Sequence, residues 1–247
     1  MHMLSVLQTT FTPTDIAAFL VLTIAWVLTG RLAEYPPKWR PSVSLLMQDY
    51  RYRWMTEFLT RDPRIFDVSL IDSLRQGTAF FASAAMIAIG GGVALIGNAA
   101  TLQGLAQDLT IGVDASQLRI KLIVVVALLA NALLKFVWSH RLFGYCAIMM
   151  AAVPNDFNDP MAAPRARQAA EVNITAAKSF NRGLNSIYFA LATLGWLIGA
   201  EGLILSTLLT AGVLLRREFA SQSRAVMLED MRKMMQAAQP EVLHQTR

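Results

Sequence analysis

The sequence predicts an all-α integral membrane protein, a helical bundle with five transmembrane helices. Of its 247 residues, 55% are hydrophobic and only 16% are charged, whereas soluble domains carry about 25% charged residues. The apolar residues form runs long enough to cross a hydrocarbon core about 30 Å thick, which takes about 20 residues of helix. Lysine and arginine cluster after alternate runs, a pattern that orients multi-pass proteins in a membrane.

The remaining composition excludes several other classes of protein. A net charge of +5 and a pI of 9.7 would suit nucleic acid if the basic residues gathered on a soluble face, but they flank the apolar runs. Cys146 is the only cysteine, which excludes an intramolecular disulfide and a zinc site built on several thiolates. The histidines, His2, His140 and His244, are too scattered for a metal site. We therefore expect no nucleic-acid partner, no metal and no cofactor.

The first span is expected at residues 13–32, with Asp15 near its start and Arg31 at its end, where the long side chain reaches water. No lysine or arginine precedes Arg31, and no small-residue cleavage site is present. The sequence thus favours a retained helix with its N-terminus outside over a cleaved signal peptide. The second and third spans are expected at residues 77–96 and 120–140.

The last apolar region, residues 184–215, is too long for a single span. Two spans, at residues 184–200 and 202–215, would turn near Gly199 and return the arginines that follow to the side of the other basic segments. The alternative is one long tilted helix, which would give four spans, or a re-entrant element.

The segments between the spans differ sharply in charge. Residues 33–76 and 141–183 are rich in lysine and arginine, whereas residues 98–117 contain neither. The positive-inside rule therefore places the two basic segments in the cytoplasm and the third outside. The chain is expected to form a single membrane domain over residues 1–221, followed by a polar cytoplasmic tail over residues 222–247.

The cytoplasmic segments carry helical patterns of their own. A stripe recurs at every fourth residue: Leu46, Tyr50, Trp54 and Phe58. This stripe predicts a helix that lies either in the lipid headgroup layer or on the protein's own helix ends. An amphipathic run leads directly into the second span, so one helix about 48 Å long is expected over residues 65–96. Similar extensions are expected after the third span, over residues 143–153, and before the fourth, over residues 165–181.

The candidate functional residues are polar side chains concentrated in the cytoplasmic segments. This cytoplasmic polar cluster comprises Arg51, Trp54, Arg61, Asp62, Arg64, Asp67, Asn181 and Arg182. Its members either form a site or simply pair with one another. No serine, cysteine or threonine lies in a recognisable nucleophile motif, so no catalytic residue is assigned.

Polar residues within the spans are few. Lys121, Asn131 and Lys135 all lie in the third span, and lysines near helix ends can extend to the membrane surface. In a channel these three residues would flank the path, although a conducting pathway usually has a more polar lining.

Two groups of glycines are expected to allow close helix packing. Gly90, Gly91 and Gly92 lack the Lys-Ser/Thr pair of a phosphate loop and suit close packing or bending instead. Gly195 and Gly199 are four residues apart, a spacing that lets membrane helices approach closely. Packing within the hairpin is favoured over contact with a second copy.

Several long segments, in order along the chain, resemble a known family. They are RDPRIFD, FFASAAMIAIGGGVALIG, IKLIVVVALLANALLKFVWSHRLFGYCAIMMAAVP, FNRGLNSIYFALATLGWLIGAEG and LLRREF. From about residue 15 to residue 221, the chain resembles the bacterial membrane proteins of the domain-of-unknown-function family 599. The resemblance implies a multi-pass membrane protein and, because the family has no assigned activity, no catalytic residue.

The expected function is non-enzymatic and located in the bacterial inner membrane: a scaffold, a lipid-contact protein or an accessory subunit. Its expected partners are anionic lipid at the cytoplasmic face and a second copy or another membrane protein. The first alternative is a channel or transporter for a small solute or ion. The second is a membrane enzyme acting on lipid headgroups, which would need convergent titratable groups such as Asp62 and Asp67.

Overall fold

A computed structural model describes residues 11–99 and 115–244, with side chains described as far as residue 234. Within these ranges the chain is helical and contains no β-strand, as the sequence predicts. The helices are α1 (Pro13–Glu34), α2 (Val43–Glu57), α3 (Ile65–Gly97), α4 (Ala115–Ala151), α5 (Ala162–Thr193), α6 (Ala200–Phe219) and α7 (Gln222–His244). Short 3₁₀ turns follow α2 at Phe58–Thr60 and α5 at Leu194–Leu197. The predicted outer segment, 98–117, lies largely outside the described residues.

Local capping signals set where the first helices begin. The Thr12 hydroxyl accepts a hydrogen bond from the Asp15 amide at 3.2 Å, and the Asp15 carboxylate accepts one from the Thr12 amide at 3.1 Å, which forms a capping box. Ser42 caps α2 by accepting from the Leu45 amide at 3.1 Å. The Ser42 hydroxyl also donates to the Ala33 carbonyl at 2.6 Å, so this cap ties the start of α2 to the end of α1.

Helix α5 is the central helix of the bundle. It runs antiparallel to α4, since Ser139 donates to the Ala176 carbonyl at 2.7 Å and Asn131 donates to Ser186 at 2.7 Å. It also packs on α1, α2 and α6, while α3 packs along α4. Small and polar side chains are buried along α5, including Ala166, Ala169, Ala170, Asn173, Ala176, Ser179 and Ser186. Their size allows the neighbouring helices to approach closely.

Three helices are long and apolar enough to cross a membrane: α1, α3 and α4. They contain the first three predicted spans, at residues 13–32, 77–96 and 120–140. The predicted fourth and fifth spans, at residues 184–200 and 202–215, fall in α5 with its 3₁₀ turn and in α6, which are not among these three. Because α5 packs against four neighbours, its surface carries small and polar residues that lower its hydropathy.

The chain turns where the sequence predicts a turn. The 3₁₀ turn after α5 ends at Leu197, and α6 begins at Ala200. Gly199 between them has a φ of +145°, a conformation that residues with a side chain rarely adopt. The two helices fold back on each other, since Ser206 donates to the Ala192 carbonyl at 2.7 Å. The alternative of one long tilted helix through this region is therefore wrong.

The helical extensions predicted beyond the spans are present. Helix α3 covers Ile65–Gly97 without interruption, and α4 continues to Ala151. Helix α5 begins at Ala162, ahead of the predicted extension. The predicted polar tail contains α7, which packs on α2.

The stripe of α2 packs on the protein itself. Leu46 and Phe58 are 3% and 2% exposed, and the Trp54 indole donates to Asp67 of α3 at 2.6 Å. These contacts confirm the second interpretation, in which α2 covers the helix ends. They contradict the first, because the stripe is not free to enter the headgroup layer.

Close packing is found at one glycine of the triplet in α3. A Cβ at Gly92 would lie 2.6 Å from the Val126 side chain, so this glycine brings α3 close to α4. A Cβ at Gly90 or Gly91 would meet no described atom within 4 Å. The packing expected at those two positions is therefore absent from the described part of the chain.

The glycines of the α5–α6 turn have two different roles. A Cβ at Gly195 would lie 2.6 Å from the Gly202 carbonyl oxygen, so Gly195 packs within the hairpin, as expected. The packing role expected of Gly199 is wrong, because a Cβ there would meet no described atom within 4 Å. Its positive φ makes it the turn residue instead, and Gly202 is the packing partner of Gly195.

Candidate functional site

Lysine and arginine concentrate at one end of the bundle, which we call the basic end. There the end of α1 meets α5 through Glu34 and Arg182, and the end of α6 meets the start of α2 through Glu218 and Ser44. The basic end carries Arg31, Lys38, Arg40, Arg51, Arg53, Arg61, Arg64, Arg75, Arg141, Arg165, Arg167, Lys178, Arg182, Arg216, Arg217 and Arg224. At the opposite end, the lysine and arginine residues in the described ranges are Arg119 and Lys121.

Asp67, in the first turn of α3, gathers one part of the cytoplasmic polar cluster. Its side chain is buried, and Oδ1 accepts from the Trp54 indole at 2.6 Å and from the Arg61 guanidinium at 2.5 Å. Oδ2 is also buried and has no hydrogen-bond partner in the described ranges. A buried carboxylate is tolerated when it is paired, so these three residues, the Asp67 cluster, hold α2 and the turn after it against α3.

Arg64 holds the same turn to the end of α4. Its guanidinium donates to the carbonyls of Val153 and Pro154 at 3.0 and 2.9 Å and lies 4.4 Å from the centroid of the Phe58 ring. These carbonyls lie just beyond the end of α4, where backbone carbonyls lack partners within the helix. Arg64 supplies the missing hydrogen bonds. Asp62 is exposed and forms no hydrogen bond or ion pair with any residue whose side chain is described.

Arg182 of α5 forms a bidentate ion pair with Glu34 at the end of α1, with N–O distances of 2.5 and 2.6 Å. The Glu34 side chain is 9% exposed and the Arg182 side chain is 48% exposed. This pair fastens α1 to α5 at the basic end. The neighbouring Asn181 is exposed and lines an adjacent cavity.

Arg51 of α2 contacts α5 without an ion pair. Its guanidinium donates to the side-chain oxygen of Asn173, and the amide nitrogen of Asn173 lies 3.6 Å from the Cys146 sulfur. No carboxylate of the described ranges lies within ion-pair distance of Arg51. Burial lowers the pKa of Arg51, because its charged form loses hydration. An anion would therefore stabilise this side chain.

A cavity of about 390 Å³ lies beside Arg51, between α2, α3 and α5; we call it the α2–α3–α5 cavity. Arg51, Lys178 and Asn181 contribute to its polar wall, and its apolar wall includes Leu74 and Ile174. Lys178 forms no hydrogen bond or ion pair within the described part of the chain. The cavity thus combines two cationic side chains with an apolar surface.

The two carboxylates that line this cavity are engaged elsewhere. Glu34 is held by Arg182. Glu218 accepts from both the amide and the hydroxyl of Ser44 at 3.0 Å, at the N-terminal end of α2, where the helix dipole favours negative charge. Neither carboxylate pairs with Arg51 or Lys178.

At the opposite end of the bundle, Lys121 is a buried packing residue. It is 4% exposed and donates to the Trp196 carbonyl at 2.9 Å. The Trp196 indole donates to Asp15 at 2.7 Å, so a negative charge lies in the same group. The expectation that Lys121 extends to the membrane surface is wrong, because its partners lie inside the bundle.

Asn131 and Lys135 lie elsewhere along α4. Asn131 donates to Ser186 at 2.7 Å, and both Asn131 and Lys135 line a groove of about 430 Å³ between α1, α4 and α5, together with Arg182. Lys121 is about 15 Å from Asn131 along the helix and does not line this groove. The structure therefore groups Asn131 with Lys135 and leaves Lys121 apart.

Sequence reasoning does not single out Lys178, Glu34 or Glu218. The sequence does contain a pattern that would place Lys178 beside Asn181. Ile174, Lys178 and Asn181 follow the spacing of one helical face. Glu34 and Glu218 come from helices far apart in the sequence, and no pattern links them to the cavity.

Comparison with known protein families assigns the chain to a family, which none of the side-chain clusters described above does. No group of three or more His, Cys, Asp or Glu side chains in the described ranges could hold a metal ion. Curated proteins and solved structures give no significant match to the chain. The family model described as "Protein of unknown function, DUF599" matches residues 17–223, which take in the bundle from the first turns of α1 to the end of α6. The chain therefore belongs to the DUF599 family of proteins of unknown function.

Proposed function

We propose that this protein is a non-enzymatic, multi-pass protein of the bacterial inner membrane that contacts anionic lipid through its basic end and acts there as a scaffold or accessory subunit. The observation that carries the proposal is the concentration of lysine and arginine at that end. The positive-inside rule assigns such an end to the cytoplasm. Anionic lipids of the inner leaflet attract basic side chains near the surface by about 1 kcal/mol each.

Five spans are supported by the direction of the helices. Helix α5 leads from Arg182 at the basic end towards Trp196 at the opposite end. Helix α6 (Ala200–Phe219) returns over 20 residues, about 30 Å of helix, which matches the hydrocarbon thickness. With α1, α3 and α4 this makes five spans, with the N-terminus outside and the C-terminus in the cytoplasm.

Aromatic residues after α1 support lipid contact at the basic end. Tyr35 and Trp39 are 68% and 80% exposed and alternate with Lys38 and Arg40. Tyrosine and tryptophan are enriched where a span meets the headgroup layer. This segment would therefore anchor the end of the first span.

Reporter fusions at residue 200 and after the last residue test the topology. A reporter that is active only outside the cytoplasm is expected to be active at residue 200 and inactive at the C-terminus. An external C-terminus would overturn the five-span orientation.

Unfolding in detergent with added lipid tests the lipid contact. Phosphatidylglycerol, which is anionic, is expected to raise the midpoint of thermal unfolding more than phosphatidylcholine, and salt is expected to reduce the difference. Equal shifts with the two lipids would overturn the proposed lipid contact. A second copy of the chain or another membrane protein as partner stays a prediction.

The groove between α1, α4 and α5 favours transport as a second candidate function, because it places Asn131, Lys135 and Arg182 together. Proteoliposomes loaded with a small ion or solute would test it. A flux that is lost in Asn131→Ala and Lys135→Ala would support transport, and a flux unaffected by both changes would reject this path.

A further inference from the structure

We propose that the α2–α3–α5 cavity binds the phosphate group of an anionic phospholipid, with Arg51 and Lys178 donating to the phosphate oxygens. The inference rests on the proposed function, because it requires the basic end to face the cytoplasmic leaflet. It deepens that function by naming the ligand class and the two side chains that bind it.

The cavity lies where lipid phosphates are expected. Gly77, Phe143 and Asn181 line it, and they lie close to the predicted cytoplasmic ends of the second, third and fourth spans, at residues 77, 140 and 184. Asn181 is exposed, so this wall of the cavity reaches the surroundings. A phosphate bound here would sit at the boundary between the cytoplasmic helices and the bilayer.

Neither cation forms an ion pair in the described ranges, because the two carboxylates of the cavity, Glu34 and Glu218, are bound to Arg182 and Ser44. Arg51 donates to the neutral amide of Asn173, and Lys178 has no partner in the described ranges. Burial lowers the pKa of Arg51, because its charged form loses hydration. A phosphate would pair with the two positive charges through charge-assisted hydrogen bonds. A guanidinium can contact two phosphate oxygens at once.

The other three arginines of the cytoplasmic polar cluster already have partners within the protein. Arg61 donates to Asp67, Arg64 donates to two backbone carbonyls, and Arg182 pairs with Glu34. Recruiting any of them to a ligand would break a contact that holds two helices together. Arg51 and Lys178 could bind an anion without losing an ion pair.

The apolar wall favours a lipid over a soluble phosphate. Leu74, Ile174 and Phe180 line the same cavity as the two cations. Its volume, about 390 Å³, lies in the range of small-molecule sites, about 300–1,000 Å³. A soluble phosphate would leave the apolar surface uncovered, whereas the glycerol backbone and first acyl carbons of a phospholipid would cover it.

Native mass spectrometry of the full chain in detergent, with phosphatidylglycerol or phosphatidylcholine added, tests the site. The variant Arg51→Gln with Lys178→Gln is expected to bind phosphatidylglycerol about tenfold more weakly than the wild type. The control is Arg119→Gln, which removes an exposed arginine at the opposite end of the bundle. We expect its affinity to stay within about twofold of the wild type.

Three other outcomes of these binding measurements would each contradict a different part of the proposal. A double variant that binds phosphatidylglycerol as tightly as the wild type would overturn the site and leave the lipid contact of the basic end standing. Equal binding of the two lipids by the wild type would overturn the proposed function together with the site. Glycerol 3-phosphate that competes with phosphatidylglycerol at equal concentration would overturn the lipid assignment in favour of a soluble phosphate ester.

Lys178→Gln alone keeps the test decisive if the Arg51 change prevents folding. Lys178 is partly exposed and has no partner in the described part of the chain, so its replacement leaves the bundle intact. We expect about a threefold loss of affinity for phosphatidylglycerol. Undiminished affinity would remove Lys178 from the site and overturn the two-cation proposal.

Discussion

The basic end contains two groups of charged side chains that differ in how their charge is balanced. In the Asp67 cluster, Arg61 and Trp54 both donate to one carboxylate oxygen. In the α2–α3–α5 cavity, Arg51 has a neutral partner and Lys178 has none in the described ranges. Helix α2 contributes to both groups within one turn. The difference indicates that the first group holds the fold, whereas the second leaves its cations available to a ligand.

Removing the carboxylate of the Asp67 cluster is expected to have the largest effect on stability. Asp67→Ala leaves Arg61 and Trp54 without their shared acceptor and should lower the free energy of unfolding by about 3 kcal/mol. Denaturant titration in detergent micelles measures the loss. Asp62→Ala is the matched control, since Asp62 is exposed and five residues away. Equal effects of the two changes would show that the Asp67 cluster does not hold α2 to α3.

A change in the α5–α6 turn should destabilise the bundle without touching either group of charges. The Cβ added by Gly195→Ala would lie 2.6 Å from the Gly202 carbonyl oxygen, which predicts a loss of about 2 kcal/mol. Gly90→Ala is the control, because its Cβ would meet no described atom within 4 Å. The two variants are compared by thermal unfolding, and a destabilised Gly195→Ala protein should still prefer phosphatidylglycerol. Loss of that preference would show that the cavity depends on hairpin packing and not on its two cations.

The ion pair of Glu34 with Arg182 connects stability to the cavity. Glu34→Gln should cost about 1 kcal/mol, since the Arg182 side chain is 48% exposed and its pair is partly screened by water. Because Glu34 lines the cavity, the same change removes a negative charge beside Arg51 and Lys178. Affinity for phosphatidylglycerol should therefore rise by about twofold, as measured by native mass spectrometry. A fall in affinity would contradict the view that Arg51 and Lys178, which form no ion pair in the described ranges, attract the phosphate.

The contact of α7 with α2 should respond weakly to acid. The Tyr50 hydroxyl and the Arg53 guanidinium both donate to Asp230 at 2.9 Å, and these bonds lower the pKa of Asp230 below its ordinary value of 3.8. A lowered pKa means that the stabilisation is complete above pH 3.8 and is lost as the pH falls through the lowered value. Hydrogen exchange of α7 should therefore speed up below pH 3.8 in the wild type. In Asp230→Asn we expect faster exchange already at neutral pH and no acid response; an unchanged response would mean that another group controls α7.

The helices could be predicted from the sequence because their signals are local. Apolar runs and the uninterrupted pattern after residue 64 predict α3 over residues 65–96, one residue short of its end at Gly97. The turn at Gly199 could be predicted for two reasons. Residues 184–215 are too long for one span, and a turn returns the arginines that follow to the side of the other basic segments. The fourth predicted span is not supported by hydropathy, since the neighbours of α5 cover this helix and its buried face is alanine, serine and asparagine.

The partners within the candidate site could not be predicted in the same way. Trp54 and Arg61 are close in sequence to the carboxylate they bind, Asp67, whereas the carboxylate that Arg182 binds is Glu34, from another helix. Arg51 contacts Asn173 because α2 packs on α5, and only the tertiary fold shows this. The sequence therefore predicts that these polar residues lie together in the cytoplasmic segments. Which of them form pairs depends on how the helices pack.

Thermal unfolding with and without phosphatidylglycerol separates the two groups of charges most directly. We expect Asp67→Ala to lower the unfolding midpoint in detergent alone and to keep the rise caused by the lipid. We expect Arg51→Gln with Lys178→Gln to lower the midpoint in detergent alone less than Asp67→Ala does, because Arg51 loses its hydrogen bond to Asn173 but no ion pair is lost, and to lose the rise caused by the lipid. The same pattern in both variants, with both midpoint and lipid response reduced together, would contradict the division between charges that hold the fold and charges that bind a ligand.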